Sequence, residues 1–467
     1  MAALLLGLTA TPALGQGTPS TGDWLQFQGD AGHAGSVAVG PQPAFRQAWR
    51  FDPGLTGRFG VSAPVIAGDL AVTVAPRAVY GVDLATGEQS WRIDRDFGPS
   101  APPAIAGSAT GPLLVYTEGF GPNPPSEAFA SPTAGTTSDA GATPADTGDT
   151  PFDSRVIAVD LLTRRPVWDA PVPLQAVSRT GVTVDGTTAY VGDDDGMITA
   201  IDLADGEVRW TYDAPGPVAT SIGAAEGTLV FSTQPRTGQP AVVIALDSSD
   251  GSETWRFTPT ALPFIATVPT IAGGTVYLGF SDQTGSRARA LTLADGTQRW
   301  ETAVNSQFSP LTSLISTDEA VVAVDAYGQA YALDPTTGGR IWDFALNTVA
   351  VRSVPVVIGV SLLIPTDEGE LVAIDTRSHE LIARTAGAGP RGYLGPMAVT
   401  SQLVVAVKGG HHPGLVAFQH DPDTPLLSIT SPTVLSIWPM VANVAIAALP
   451  LLLLLGLAGR WLTARLG

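Results

Sequence analysis

The stretch that decides the fold of this chain reads Ile198-Thr199-Ala200-Ile201-Asp202-Leu203-Ala204-Asp205-Gly206-Glu207-Val208-Arg209-Trp210. Apolar and polar residues alternate on both sides of Asp205-Gly206, a pattern typical of two half-buried β-strands. Glycine takes the positive φ that a tight hairpin turn requires, and aspartate is its usual partner in such turns. The stretch is therefore predicted to be a β-hairpin whose second strand ends in tryptophan.

The same phrase recurs along the chain at a nearly constant spacing. An eroded copy has Ala383 in the tryptophan position, and an isolated strand near the start, Gln47–Phe51, contains one more tryptophan. With one exception, neighbours in this series lie 41 to 45 residues apart. A fixed period of this length, with four short strands per repeat, predicts an all-β fold, the β-propeller. The seven repeated tryptophans are Trp49, Trp91, Trp168, Trp210, Trp255, Trp300 and Trp342.

The exception is the interval of 77 residues between Trp91 and Trp168. The excess lies in residues 120–152, which are rich in Pro, Ser, Thr, Ala, Gly and Asp. Such a composition cannot bury a hydrophobic core. We therefore expect an acidic, disordered insert in a hairpin loop of the second blade rather than a domain boundary.

The two ends of the repeat region are predicted to complete one blade together. Three strands follow Ala383, at about Met397–Val399, Leu403–Lys408 and Leu415–Gln419, but the fourth strand is missing. The strand at Trp49 has no partner of its own. Pairing the two closes a ring of eight blades and removes the open sheet edges, whereas a seven-bladed ring is the alternative.

The segments outside the propeller, residues 47–420, have compositions of their own. Residues 1–15 contain a short apolar run followed by small residues and are predicted to be a signal peptide. Residues 16–46 are a polar, loop-like N-terminal extension, and residues 421–433 are a linker. Residues 434–458 are almost wholly apolar and long enough to cross a bilayer of ~30 Å. They are predicted to be a transmembrane helix, followed by a tail at 459–467.

Charges on the two sides of the apolar segment predict its orientation. Arg460 and Arg465 follow it, whereas Asp421 and Asp423 precede it. The positive-inside rule places the tail in the cytoplasm and the propeller on the extracytoplasmic side of a cell membrane, crossed once.

The repeat resembles a known family. Its pattern is small-x-Asp-x-x-Thr/Asp-Gly-x-x-x-Trp, as in the series from Ala200 to Trp210 and from Gly81 to Trp91. This resembles the pyrroloquinoline-quinone (PQQ)-like, tryptophan-docking repeat of quinoprotein dehydrogenases and of the outer-membrane assembly lipoprotein BamB. The resemblance covers roughly Trp24 to Gln419. It implies that each tryptophan packs between neighbouring blades against the small residue of the motif, a structural role.

The resemblance also implies what a catalytic member would need. Quinoprotein dehydrogenases hold PQQ over a Ca2+ bound by Glu and Asn, with an Asp as base, and many use a disulfide between adjacent cysteines. The chain contains no cysteine, and only Asn305 and Asn347 lie in the propeller outside the insert. We therefore expect no catalytic residues and no cofactor, with PQQ and Ca2+ as the alternative.

Two short clusters are weak candidates for metal binding. Asp193 and Asp195, in Asp193-Asp194-Asp195-Gly196, offer clustered carboxylates that suit Ca2+, but the bidentate glutamate of a full calcium loop is missing. An ordinary Asp-Gly turn accounts for the same residues. Adjacent side chains at His411-His412 point apart on a strand, which does not favour chelation of one metal.

The loops that enter each first strand are expected to converge on one mouth of the propeller channel. Arginine and aromatic side chains are enriched in binding hot spots, so these loops form a candidate site for an anionic or peptide-like partner. The alternative is that they only cap the channel. The candidate residues are Arg58, Phe59, Phe97, Arg179, Phe264, Phe308, Arg352, Arg391 and Tyr393.

Charge restricts the class of partner. The formal net charge of −19 argues against binding to nucleic acid. The sequence thus predicts a membrane-anchored, extracytoplasmic, non-catalytic binding or scaffolding module for a small ligand or another envelope protein. A PQQ-dependent dehydrogenase and a BamB-like envelope assembly factor are the alternatives.

Overall fold

The fold is seen in a computed structural model. It describes residues 23–55, 60–108, 111–119, 154–236, 240–259, 265–282, 284–306, 309–346, 348–389, 392–427 and 429–430. Every regular element in these ranges is a β-strand. The predicted signal peptide, the insert and the transmembrane segment at 434–458 lie outside the described residues. Within the described ranges, no helix is long and apolar enough to cross a membrane.

The strands form eight sheets arranged as the blades of a propeller, which confirms the predicted blade count over the alternative of seven. Two strands precede the first complete blade: β1 (Ser36–Val37) and β2 (Phe45–Phe51). Blade one comprises β3 (Val65–Ala67), β4 (Leu70–Ala75), β5 (Ala78–Asp83) and β6 (Gln89–Asp94), and blade two comprises β7 (Ala104–Ser108), β8 (Gly111–Glu118), β9 (Arg155–Asp160) and β10 (Val172–Pro173). Blade three comprises β11 (Val182–Asp185), β12 (Thr188–Gly192), β13 (Met197–Asp202) and β14 (Val208–Asp213). Blade four comprises β15 (Gly223–Ala225), β16 (Thr228–Ser232), β17 (Val243–Asp247) and β18 (Glu253–Phe257).

The remaining blades follow the same antiparallel order, with a divided inner strand in blade five. Blade five comprises β19 (Ile265–Ala266), β20 (Thr270–Ala272), β21 (Thr275–Asp282), β22 (Gly285–Thr292) and β23 (Gln298–Asn305). Blade six comprises β24 (Leu311–Ser316), β25 (Val321–Asp325), β26 (Gln329–Leu333) and β27 (Arg340–Ala345), and blade seven comprises β28 (Val356–Ile358), β29 (Ser361–Pro365), β30 (Glu370–Asp375) and β31 (Glu380–Ala386). Blade eight contains β32 (Tyr393–Val399), β33 (Leu403–Gly409) and β34 (Gly414–His420). A last strand, β35 (Ile429–Thr430), pairs with β31.

The ring closes as predicted, through the N-terminal strand. In blade eight the order is β2-β34-β33-β32, and β2 runs antiparallel to β34 with Trp49 opposite Ala417. The outer strand of this blade therefore comes from the start of the chain and its other three strands come from the end.

Each docked tryptophan joins its blade to the next one. The indole N–H of Trp49 donates to the Leu84 carbonyl at 2.7 Å, and that of Trp300 donates to the Pro335 carbonyl at 2.9 Å. These carbonyls directly follow the motif aspartate, in the turn between the third and fourth strands of the next blade. The turn glycine lies under the indole: a Cβ on Gly338, whose φ is +71°, would stand 2.6 Å from the Trp300 ring. Glycine is thus required for both backbone conformation and close approach.

Ring closure also explains the missing tryptophan at Ala383. A tryptophan there would dock onto the turn between the third and fourth strands of blade eight. No such turn exists, because β34 and β2 come from opposite ends of the chain. Instead, residues after β34 return to blade seven, where the Leu427 N–H donates to the Ile382 carbonyl and β35 pairs with β31.

Restoring the motif with Ala383→Trp is therefore expected to destabilise the protein by about 1–3 kcal/mol, because the buried site has no turn to receive an indole. Chemical denaturation measures the change. Ala386→Trp, at an exposed position of the same strand, should change stability by less than about 0.5 kcal/mol. A gain in stability from Ala383→Trp would contradict this account of the missing turn.

The N-terminal extension differs from the prediction of a loop outside the propeller. Residues 24–40, here called the strap, run across the inner strands at one end of the channel. Trp24 and His33 are each 1% exposed, and β1 adds a parallel strand to β28. The end of the channel on which the strap lies is here called the strap face, and it contains the turns that follow each inner strand. The opposite end, the connection face, contains the connections between blades and the turns between second and third strands.

Candidate functional site

The candidate mouth residues that the structure describes all lie on the connection face. Phe97 lies between blades one and two, Arg179 between blades two and three, and Arg352 between blades six and seven, whereas Tyr393 begins β32. Five of the nine candidates lie outside the described residues: Arg58, Phe59, Phe264, Phe308 and Arg391.

Arg179 is held by the acidic turn of blade three. Its Nε donates to the Asp194 carboxylate at 2.7 Å. Arg236, from blade four, reaches the same turn, with one guanidinium nitrogen 3.5 Å from the Asp195 carboxylate and 3.3 Å from the Asp194 carbonyl. The positive charge of Arg179 is therefore paired with a carboxylate at the channel mouth.

Arg352 has a similar arrangement in blade seven. It pairs with Asp367 at 2.6 Å, and its guanidinium carbon lies 4.6 Å from the centre of the Tyr393 ring. The structure therefore brings together two of the predicted residues. The flanking Glu368 accepts the Val349 N–H at 3.2 Å and a hydrogen bond from the Thr348 hydroxyl. Each described mouth arginine of the prediction is thus matched by an acidic residue on a neighbouring turn.

Phe97 caps a charged cluster at the base of the insert. Arg77 lies over its ring at 4.8 Å. Nearby, Arg155 at the start of β9 pairs with Asp96 and, at 2.8 Å, with Glu118 at the end of β8. Burial lowers the pKa of the adjacent Arg95 to about 10, which leaves it charged at neutral pH. These ion pairs hold the two strand ends between which the insert departs.

Three exposed apolar residues lie beside Arg352, and no motif in the sequence predicts that they are exposed. Tyr327 is 54% exposed, Val349 is 38% exposed and Val351 is 58% exposed. Tyr327 lies in the turn between β25 and β26, and the valines lie in the connection from β27 to β28. The Ala350 N–H donates to the Ala326 carbonyl at 2.9 Å, which joins the connection to the turn. We call these three residues the apolar cluster.

The turn that carries Tyr327 is held by a buried carboxylate. Asp325 accepts the backbone N–H groups of Tyr327 and Gln329, each at 3.0 Å, and the Asn305 amide at 3.2 Å. Burial is the main cause that raises the pKa of Asp325. The apolar cluster is thus presented by a turn with a fixed backbone.

Asp193, the first candidate calcium ligand, has the same role in blade three. One carboxylate oxygen accepts three backbone N–H groups from residues 195–197 at 2.9–3.0 Å, and the other accepts the Ala176 N–H at 3.0 Å. Burial raises its pKa, against the effect of these hydrogen bonds. The second candidate, Asp195, faces Arg236 instead. The geometry is that of an aspartate turn.

The propeller and its repeat match a known protein family. A family model described as outer membrane protein assembly factor BamB matches residues 153–324 and 326–421. The chain belongs to this family. Its resemblance to the PQQ-like propellers, inferred from the motif, is thereby confirmed, and the eight blades are those of a BamB-type propeller.

Individual relatives of this BamB-type chain are distant. It is 28% identical over 204 residues to BamB of Nitrosomonas eutropha, a match that covers 41% of this chain and 47% of that protein. The match to BamB of Burkholderia pseudomallei is 26% identical over 380 residues and covers 78% of this chain and 86% of that protein. The first match therefore spans about half the length of the relative.

The BamB-type propeller also has the fold of a quinohemoprotein alcohol dehydrogenase from Pseudomonas putida. The two share 10% sequence identity with a TM-score of 0.61, over 89% of this chain and 82% of the enzyme. The described residues include no group of three or more His, Asp or Glu side chains placed to hold a metal ion. Asn305 is engaged by Ser309 and Asp325.

Proposed function

We propose that this BamB-type propeller is a non-catalytic binding module of the cell envelope that docks another envelope protein on its connection face. The observation that carries the proposal is the apolar cluster of Tyr327, Val349 and Val351 beside the channel mouth. Isolated exposed apolar residues are common, but three on two adjoining loops form a patch of the kind used in protein–protein contacts.

The surroundings of the cluster favour a protein partner over a small anion. An anion site needs arginine donors that are available, and Arg179 and Arg352 are each paired with a carboxylate. Paired charges at the rim and apolar residues with an aromatic ring at the centre are typical of protein interfaces. The printed names of the relatives, outer membrane protein assembly factors, support an envelope protein as the partner.

The proposal includes anchoring through the apolar segment at 434–458, with the propeller on the extracytoplasmic side. Its support is the sequence alone: the length of the segment and the arginines at 460 and 465. Tethering to a membrane would confine the connection face to the compartment in which envelope proteins assemble.

We expect a photo-crosslinking side chain at Val351, placed in the full chain in living cells, to capture one discrete envelope protein. Val351→Glu would put a charge in the apolar contact, so Val351→Glu in a chain that carries the crosslinker at Tyr327 should reduce capture at least about tenfold. Crosslinked products are measured by immunoblotting and identified by mass spectrometry.

Val39 provides the matched control, because it is a comparably exposed valine on the strap face. Crosslinking from Val39 should give no such product, and Val39→Glu should leave capture from Tyr327 unchanged. Equal capture from both faces would contradict the docking site. Oxidation of an alcohol or sugar by the purified chain supplied with PQQ and Ca2+ would contradict the non-catalytic assignment.

A further inference from the structure

The strap satisfies an exposed backbone edge in almost every blade. An inner strand has one edge without a neighbour, and such an edge presents unpaired N–H groups. Seven inner-strand N–H groups donate to the strap at 2.7–3.0 Å, one in each of the first seven blades. The donors are Ile66, Ile105, Val184, Ala224, Ile271, Ser316 and Val357, and the acceptors are Trp24, Leu25, the Gln26 side chain, Ala31, Gly32, Ala34 and Gly35.

Side chains hold the strap across the channel as well as along its rim. The Gln26 amide donates to the Val184 carbonyl in blade three, and the Gln28 amide donates to the Ser313 hydroxyl in blade six, each at 2.9 Å. Gly40 ends the strap against Val399 and Thr400 of blade eight. The strap therefore contacts every blade and covers the strap-face mouth.

One buried titratable residue lies at the centre of the strap. His33 takes a φ of 57°, its ring nitrogen lies 3.3 Å from the Pro269 carbonyl, and the Phe27 ring packs edge-on at 5.8 Å. The nearby titratable group is Asp30, whose backbone carbonyl accepts the His33 N–H and whose carboxylate accepts the Ala34 N–H. Desolvation is the main cause of the pKa shifts of both side chains.

We propose that the strap is a releasable plug of the strap-face mouth and that protonation of His33 releases it. The strap is attached through backbone hydrogen bonds, two glutamines and the buried Trp24 at its start. His33 lies between these attachments, so a buried charge there acts against the central part of the strap. A protonated imidazole would bring its charge into the apolar surroundings of Phe27, where the Pro269 carbonyl is the acceptor at its ring.

The direction of the pH effect follows from the pKa values of the two groups. Burial lowers the pKa of His33 from 6.5 to about 4, so the bound strap holds the neutral form and the released strap takes up the proton. The stability of the bound strap is thus complete above about pH 6.5 and falls as the pH decreases towards 4. Desolvation also raises the pKa of Asp30, but this side chain is exposed, so solvent screening weakens its opposing effect on the bound strap.

Release would change what the propeller can bind. It would open the second mouth of the channel and expose seven inner-strand N–H groups to an extended peptide, which adds to a free strand edge by backbone hydrogen bonds. This binding mode involves the strap face and is independent of the docking proposed for the connection face.

Hydrogen exchange of the full chain at pH 7 and pH 5, corrected for the intrinsic rates, tests the proposal. The amides of Ile66, Ile105, Ala224, Ile271 and Val357 report on the strap. From the pKa difference, their opening should increase on the order of twentyfold in the wild type between pH 7 and pH 5. Amides of β12, which pair within blade three, should not change, and they serve as the internal control.

His33→Asn is the matched variant, because asparagine tolerates the left-handed conformation and does not titrate in this range. Its strap amides should change less than about threefold between the two pH values. A wild type without the increase, or a variant that shows the same increase, would overturn the proposal. If the variant is already open at pH 7, the pKa of His33 measured by NMR in the wild type decides: a value near 4 supports the plug, and one near 6.5 refutes it.

Discussion

Trp300→Ala is expected to lower the free energy of unfolding by about 3–5 kcal/mol, the range for removing a buried tryptophan. The Trp300 side chain is almost fully buried and joins blade five to blade six. Its indole donates to the Pro335 carbonyl and packs on Gly338, and its ring lies 6.0 Å from that of Tyr277. Truncation would remove these contacts together and leave a cavity between two blades.

Urea denaturation followed by circular dichroism measures this loss, because that signal does not depend on the tryptophan removed. Ile341→Ala is the control: Ile341 is a large apolar residue of the next blade, but it is about half exposed, so the change should stay within about 1 kcal/mol. A loss below about 1 kcal/mol for Trp300→Ala would show that the docked indoles do not stabilise the ring.

Gly414→Ala should destabilise the protein by about 3 kcal/mol, the upper part of the range for overpacking. Gly414 begins β34, where the N-terminal strand closes the ring. A Cβ at this position would stand 2.0 Å from the Phe51 carbonyl oxygen, which belongs to the backbone and cannot move without displacing β2. We therefore expect the variant to weaken the pairing of β2 with β34 and expose two strand edges.

Gly107→Ala is the matched control, because a Cβ there meets no atom within 4 Å and the residue does not need a positive φ. It should be neutral. Thermal unfolding measures the loss, and limited proteolysis should cut the Gly414→Ala chain near β2 first. Normal stability and proteolytic resistance of Gly414→Ala would mean that closure through β2 contributes little.

Much of the candidate site was beyond prediction from sequence. The face on which the connection loops lie follows from the strand order, and the four described candidates lie there. The acidic partners Asp194 and Asp367 and the exposed state of Val349 and Val351 were not predicted. These features depend on which loops of different blades become neighbours, and loop contacts follow no periodic pattern.

The sequence by itself determined the blade: an alternating hairpin, a turn glycine at positive φ and a tryptophan at a fixed period are local features that each repeat carries. It also predicted the closure by β2 and favoured eight blades over seven, because a strand without a partner and a blade without its fourth strand complement each other; the structure decided the count. Only the tertiary structure decided the position of the strap and the reason for Ala383. The strap binds through backbone groups of seven strands far apart in the chain, and backbone hydrogen bonds leave no signature in side-chain patterns. Position 383 has alanine instead of tryptophan because the turn that would receive the indole does not exist. This becomes apparent only when the ring is closed.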